Sequence, residues 1–151
     1  MSAASGLVTA TTASGCPKLA AGQTSVAVAD VAAPARLQVD QFRLVNGSVI
    51  TRSMTQFGVV FHVSDTCGQP VSGALVYVNA VPYNQLTTPP EATTDAAGNV
   101  TLNFTRKLGF PAKADQQLLV LFVRARKSGD PILAGISTRR LVSLQVNLKQ
   151  Q

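Results

Sequence analysis

Apolar and polar residues alternate one by one along several stretches of the chain, as they do in strands that bury a single face. The alternation is cleanest over residues 56–64 and recurs over residues 74–81 and 100–104. Two longer apolar stretches, residues 116–127 and 137–148, follow in the C-terminal part. No segment of ten or more residues has a convincing helical period, so the pattern predicts an all-β chain.

The phase of the alternation also predicts which side chains face the core. Residues 36–45 are a special case. Leu37 and Val39 are in one phase, whereas Phe42 and Leu44 are in the other, which implies a bulge or a strand that switches sheets. On the other strands the residues predicted to face inward are Phe57, Val59, Phe61, Val63, Val76, Val78, Val100, Leu102, Phe104, Leu119, Leu121, Val123, Val142, Leu144, Val146 and Leu148.

Turn residues separate these strands at intervals typical of a β-sandwich. The strongest turn signals are residues 46–48, 65–73 and 93–99, which are rich in Gly, Asp and Asn. About seven strands are expected, in an immunoglobulin-like antiparallel sandwich over residues 35–151. Residues 1–34 are rich in Ala, Thr, Ser and Gly and are expected to form a low-complexity, partly irregular arm or linker, in which residues 24–29 are a candidate short strand.

Two motifs in the middle of the chain resemble those of bacterial immunoglobulin-like surface domains. They are Asp65-x-x-Gly68-x-Pro70-Val71-x-Gly73-Ala74-x-Val76-x-Val78 and Thr94-Asp95-x-x-Gly98-x-Val100-x-Leu102-x-Phe104. Similar motifs occur in invasin/intimin-type modules, in carboxypeptidase regulatory-like domains and in other transthyretin-like sandwiches. The resemblance implies a structural or adhesive module of a secreted or surface-exposed bacterial protein, serving as a spacer, stalk or ligand-binding unit.

The sequence does not indicate catalysis, because it lacks the residues that catalytic domains of this kind would need. Some transthyretin-like proteins are hydrolases that rely on several His and Arg residues and on a C-terminal Tyr-Arg-Gly-type motif. This chain has a single histidine, His62, and ends Asn147-Leu-Lys-Gln-Gln151. One histidine and two cysteines are too few for a zinc site. We therefore expect no catalytic residue, no metal and no cofactor.

The chain has two cysteines, Cys16 and Cys67. Neither has a nearby base that would make it reactive, which leaves a structural disulfide or two unreactive thiols, and the disulfide is favoured. It would fasten the arm to the turn at residues 65–73 and stabilise the fold by about 3–4 kcal/mol. Since such a bond requires an oxidising compartment, we expect an extracellular or cell-surface protein, with a leader or another domain preceding Met1 in the native protein.

Charge is unevenly distributed along the chain. The formal net charge is +6, and from Thr101 onward nine basic residues occur with only two acidic ones. If the last two strands pair, some of these residues come together as a basic patch. The patch is interpreted either as solvated edge residues that prevent aggregation or as a site for an acidic polysaccharide or other anionic polymer. Its members are Arg124, Arg126, Lys127, Arg139 and Arg140.

Other partners are less strongly indicated. Nucleic acid is disfavoured because aromatic residues make up only 5% of the chain and form no stacking motif interleaved with the basic ones. Membrane insertion is not expected, because no run of about 18 apolar residues is present. Another surface protein remains a candidate partner. Tyr77 and Tyr83 flank Pro82 and are either packing residues or a small sugar-binding platform.

Overall fold

The computed structural model describes residues 16–130 and 135–149, and these residues form an all-β fold, as predicted. The long strands coincide with the alternating stretches, because alternate apolar side chains bury one face of a pleated strand. A short 3₁₀ helix, Val28–Asp30, is the only helical element among them. In chain order the strands are β1 (Val26–Ala27), β2 (Leu37–Leu44), β3 (Val49–Thr51), β4 (Gln56–Asp65), β5 (Val71–Ser72), β6 (Leu75–Val81), β7 (Ala92–Thr93), β8 (Asn99–Thr105), β9 (Leu118–Arg126) and β10 (Thr138–Asn147).

These strands form three sheets. One has five strands in the order β3-β10-β9-β6-β7, another has three in the order β2-β4-β8, and β1 pairs with β5 alone. The ladders of the two larger sheets are antiparallel except for the parallel pair of β3 and β10. The described residues thus hold ten strands instead of the expected seven or so. The additional strands are β3, β5 and β7, which have two or three residues each and are too short to leave an alternating pattern.

The inner faces of the two larger sheets contribute to a single hydrophobic core. Every residue that the alternation predicted to face inward is buried, including Leu119, Leu121 and Val123 of the central strand β9, which are fully enclosed. Burying an aliphatic side chain of this size stabilises a fold by about 1.5–3 kcal/mol relative to leaving it exposed. The phase of the alternation therefore identified the core correctly.

β2 contains a bulge, which was one of the two predicted explanations of its change of phase. Its register with β4 shifts between Val39 and Gln41. After the shift Leu44 lies opposite the buried Val59, and Leu44 is itself buried. The extra residue therefore returns the second half of the strand to the core, and the strand stays in one sheet.

The start of β10 covers the open edge of the three-stranded sheet. β2 is the edge strand there, and its unpaired backbone groups would otherwise be available to other chains. The Thr138 hydroxyl donates a hydrogen bond to the carbonyl of Leu37, and the Arg140 guanidinium donates one to the carbonyl of Val39. The N–H of Leu37 donates to the carbonyl of Ile136 at 2.8 Å. β10 thus pairs within one sheet and protects the edge of the other.

The predicted disulfide between Cys16 and Cys67 is confirmed. Cys16 is fully buried. The side-chain amide of Gln69 donates a hydrogen bond of 2.7 Å to the carbonyl of Pro17, the residue after Cys16. Further along, Val26 and Val31 are buried in the same core as the long strands. The described part of the predicted arm is therefore packed against the sheets as well as tethered to them.

Two turns of the same construction begin at Asp65 and Asp95. In each, the aspartate Oδ1 accepts hydrogen bonds from the backbone N–H groups two and four residues later, at 2.9–3.0 Å. The N–H of Gly68 or Gly98 donates to the carbonyl of the same aspartate, and both glycines have a φ of +84°. The two aspartates are thus turn residues, as their spacing from glycine predicted.

Candidate functional site

The outward face of the five-stranded sheet, called the outer face below, exposes several large apolar side chains. Six large apolar side chains are exposed among residues 16–130 and 135–149. Four of them lie on this face or in the loop after β6. They are Val81 (43% exposed), Leu118 (49%), Leu141 (61%) and Tyr83 (72%). Exposed apolar residues that are concentrated on one face are a feature of interaction surfaces.

The pairing register arranges the outward side chains of β6, β9 and β10 in rows across the outer face. Directly opposite side chains on antiparallel strands are about 4.5–5.5 Å apart at Cβ, so the members of a row are neighbours. Two adjacent rows combine aromatic, polar and cationic side chains; they are Tyr77–Arg124–Arg139 and Asn79–Phe122–Leu141.

A groove of about 630 Å³, called the aromatic groove below, lies on this face between β6, β9 and the loop after β6. The guanidinium carbon of Arg124 lies 4.6 Å from the centre of the Tyr77 ring, which is a favourable cation–π geometry. A cavity of this size with mostly apolar walls and a few polar groups is typical of small-molecule sites. The side chains that line the groove include Tyr77, Asn79, Val81, Tyr83, Phe122 and Arg124.

The polar groups of the groove are held in place by hydrogen bonds. The amide Nδ2 of Asn79 donates to the Tyr77 hydroxyl oxygen at 3.3 Å, and the amide Oδ1 of Asn79 accepts from the Thr88 hydroxyl at 3.1 Å. Arg124 donates through Nη2 to Glu91, whereas its Nε is enclosed and has no hydrogen-bond partner among the described residues. An enclosed donor without a partner is uncommon in proteins.

Glu91 binds two of the five residues of the predicted basic patch. Its Oε2 lies 2.7 Å from Nε of Arg126 and 3.2 Å from Nη2 of Arg124, and its Oε1 lies 2.7 Å from Nη2 of Arg126. Glu91 directly precedes the edge strand β7, so its side chain reaches across β6 to the central strand β9. This carboxylate neutralises part of the predicted patch and holds the edge strand to the sheet.

The same contacts shift two pKa values. The hydrogen bond from Arg126 lowers the pKa of Glu91 below its ordinary value, and this effect, with that of Arg124, outweighs the opposing effect of burial. The pKa of Arg126 is raised in turn by its hydrogen bond to Glu91. Both shifts favour the ionised pair, so we expect the pair to persist throughout the neutral pH range.

The three other residues of the predicted patch have different environments. The Lys127 ammonium donates to the carbonyls of Ala29 and Val31 at 3.2 Å each. Arg140 covers the edge of β2 and lies 5.8 Å from the centre of the Phe42 ring. Arg139 is exposed and directly opposite Arg124. The pairing of β9 with β10 thus brings the two arginines together as expected, but most of the patch is engaged in contacts within the chain.

His62 has two hydrogen-bond acceptors beside its ring. Its Nδ1 lies 2.6 Å from Oδ1 of Asp40, and its Nε2 lies 3.1 Å from the carbonyl oxygen of Ala97. A histidine that acts as a general base in nucleophilic catalysis has one nitrogen on a carboxylate and the other on the nucleophile. Here the second nitrogen faces the carbonyl oxygen of Ala97, so His62 joins β4 to the turn at Asp95.

Replacement of Glu91 by glutamine is expected to lower the free energy of unfolding at pH 7 by about 1–2 kcal/mol, because both arginines lose their anionic partner. Since the pKa of Glu91 is lowered in the fold, its contribution is complete above the unfolded-state value and is lost as pH falls through the folded-state value. Urea unfolding of wild type and Glu91→Gln should therefore converge under acidic conditions.

Asp115→Asn is the matched control, because Asp115 is an exposed acid that forms no ion pair with another described residue. That variant should remain within about 0.5 kcal/mol of wild type at pH 7. If it lost as much stability as Glu91→Gln, the effect would come from net charge and not from the contacts of Glu91.

No protein-family model matches the chain, and a search of curated proteins found no significant match. Within the part of the chain that the structure describes, no helix has the length and apolar content that crossing a membrane would require. The candidate site is therefore interpreted from its own geometry.

The sequence predicts only part of the aromatic groove. The candidate sugar platform of Tyr77 and Tyr83 does line the groove, whereas Asn79 and Phe122 are lining residues that sequence reasoning missed. A signal for the groove exists in β9, where residues 118–123 are apolar in both phases. One phase fills the core, so the other must form an apolar outward face.

Proposed function

We propose that the chain is an immunoglobulin-like β-sandwich module of a secreted or surface-exposed bacterial protein, with a structural or adhesive role and without catalysis. The observation that carries the proposal is the disulfide between Cys16 and Cys67 in an all-β fold. Structural disulfides persist in oxidising compartments and are rare in the cytosol. Two larger sheets with a shared core are consistent with a sandwich.

The environments of the polar residues support a role without catalysis. Asp65 and Asp95 use their carboxylates to close turns, and His62 uses both ring nitrogens in contacts within the chain. Glu91 is engaged with two arginines. Side chains of these kinds serve as base, acid or nucleophile activator in hydrolytic sites, and these four have structural contacts instead.

The alternative function, binding of an anionic polymer through all five basic residues, has less support. Glu91 binds Arg124 and Arg126, and Lys127 and Arg140 donate to backbone carbonyls. An anion that bound all five would have to displace these contacts. The feature that remains for an anionic ligand is the pair of neighbouring arginines beside the aromatic groove.

The proposed location is tested in cells that produce the native protein. Thiol alkylation followed by mass spectrometry should leave Cys16 and Cys67 unmodified until a reductant is added. Protease added to intact cells should degrade the chain, or the chain should be found in the medium. A chain that is protected from protease inside intact cells and carries two alkylated cysteines would contradict the proposal.

A further inference from the structure

The aromatic groove offers a flat, partly exposed ring to a ligand. Tyr83 lies in the loop after β6 and is 72% exposed, although the other lining rings, Tyr77 and Phe122, are partly buried. An exposed tyrosine beside a concave apolar surface can stack against the C–H face of a sugar ring, while its hydroxyl stays in water. The ring of Tyr83 is therefore the natural contact for a flat ligand.

Two side chains of the groove, Tyr77 and Arg124, each keep an unused hydrogen-bond donor. The Tyr77 hydroxyl oxygen already accepts from Asn79, and its own hydrogen has no described acceptor. Arg124 donates to Glu91 through Nη2 alone, so the structure leaves Nη1 without a partner among the described residues. A ligand that complements these groups must carry acceptor oxygens.

The electrostatic environment selects among such ligands. Three guanidinium groups, those of Arg124, Arg126 and Arg139, lie at one end of the outer face, and Glu91 is the carboxylate that binds two of them. The exposed Arg139 lies in the same row as Tyr77 and Arg124. The surplus of positive charge beside the groove favours a ligand that carries a carboxylate.

We propose that the aromatic groove binds an acidic saccharide, with a sugar ring on Tyr83 and its carboxylate directed to Arg124 and Arg139. The volume of about 630 Å³ is in the range of small-ligand sites. The inference specifies a ligand class for the adhesive role proposed above and rests on that role only for the compartment in which the ligand is met.

Other occupants fit the groove less well. A neutral apolar partner would leave the donors of Tyr77 and Arg124 without acceptors, which is costly once water is excluded. A second copy of this chain would bring two sets of Arg139 and Arg124 towards one another across a two-fold axis, with mutual repulsion. A ligand with hydroxyl oxygens and a carboxylate avoids both penalties.

The test is isothermal titration calorimetry of the full chain with its disulfide intact, at low salt. Three probes are compared: tetragalacturonate, the neutral cellotetraose, and a tetraglutamate peptide as an anion without sugar rings. Tetragalacturonate is expected to bind at least about tenfold more tightly than either of the others, and its binding should weaken as salt is added.

Variants locate the binding. Tyr83→Ala should weaken tetragalacturonate binding about tenfold. Tyr83→Phe, which keeps the ring, should bind tetragalacturonate as tightly as wild type. Arg139→Gln should weaken binding of tetragalacturonate about fivefold without affecting that of cellotetraose. Arg43→Gln is the matched control, because it removes an exposed arginine from the other sheet and should leave the affinity unchanged.

Each contrary result overturns the proposal in its own way. Equal binding of tetraglutamate would show recognition of charge alone, and unchanged binding by Tyr83→Ala would place the ligand elsewhere. Absence of binding at millimolar probe concentration would reject the site. A dimer in sedimentation analysis that Tyr83→Ala dissociates would assign the groove to a second copy. None of these results affects the location test above, so the two proposals fail independently.

Discussion

Removing the disulfide with the double replacement Cys16→Ser and Cys67→Ser is expected to lower the free energy of unfolding by about 3–4 kcal/mol. The two cysteines are 51 residues apart, and the cross-link removes the entropy of that loop from the unfolded chain. Because domains are stable by only about 5–15 kcal/mol, this is a large share of the total. Equilibrium unfolding in urea measures it, and the dependence of the free energy on urea concentration should also steepen.

Reduction of the wild-type protein is the control for side effects of the serines. If the cross-link itself stabilises the fold, wild type in reductant should unfold at the same urea concentration as the double variant, and reductant should not affect the variant. A loss below about 1 kcal/mol would mean that the hydrogen bonds of Gln69 and Val26 hold residues 16–31 in place by themselves.

The sequence predicted the long strands and the core because these depend on local alternation. In the pleated backbone of β4, every second side chain points to the same face, so Phe57, Val59, Phe61 and Val63 had to be buried together if any of them was. The bulge in β2 was foreseen for the same reason, since a change of phase within one strand has few structural explanations.

Of the short strands, β1 lies within the stretch that the sequence predicted, residues 24–29. The other short strands could not be predicted, because non-local pairing alone defines them. β5 is a strand only because Val71 and Ser72 lie beside Val26 and Ala27, forty-five residues earlier. β3 joins the five-stranded sheet through a parallel ladder with β10, near the end of the chain. Two or three residues carry no periodicity of their own, and the partner decides their structure.

The basic patch illustrates a different limit. The sequence predicted that pairing of the last two strands would bring basic residues of both together, and the register of β9 with β10 places Arg124 opposite Arg139. It could not reveal that Glu91, from a loop on the far side of β6, binds Arg124 and Arg126. Nor could it reveal that Arg140 would donate to a carbonyl of the other sheet. Long side chains bind what the tertiary fold brings near them, and no local pattern records this.

Gly98 and Gly68 have the same backbone conformation and different surroundings. Replacing each of them with alanine should therefore destabilise the fold to a different extent. Both have a φ of +84°, so an alanine at either position meets the steric cost of the left-handed region, about 1–2 kcal/mol. A Cβ at Gly68 would meet no atom within 4 Å. A Cβ at Gly98 would lie 2.8 Å from the Val63 carbonyl oxygen and 3.0 Å from Nε2 of His62.

Gly98→Ala is therefore expected to lower the free energy of unfolding by about 3–4 kcal/mol, and Gly68→Ala by only about 1–2 kcal/mol. The difference arises because the Val63 carbonyl belongs to β4, the central strand of its sheet, and cannot move without disturbing pairing on both sides. Urea unfolding of the two variants measures the difference directly. Equal losses would mean that the turn at Asp95 can move away from β4 at little cost, and that the hydrogen bonds joining it to Val63 and His62 contribute little to stability.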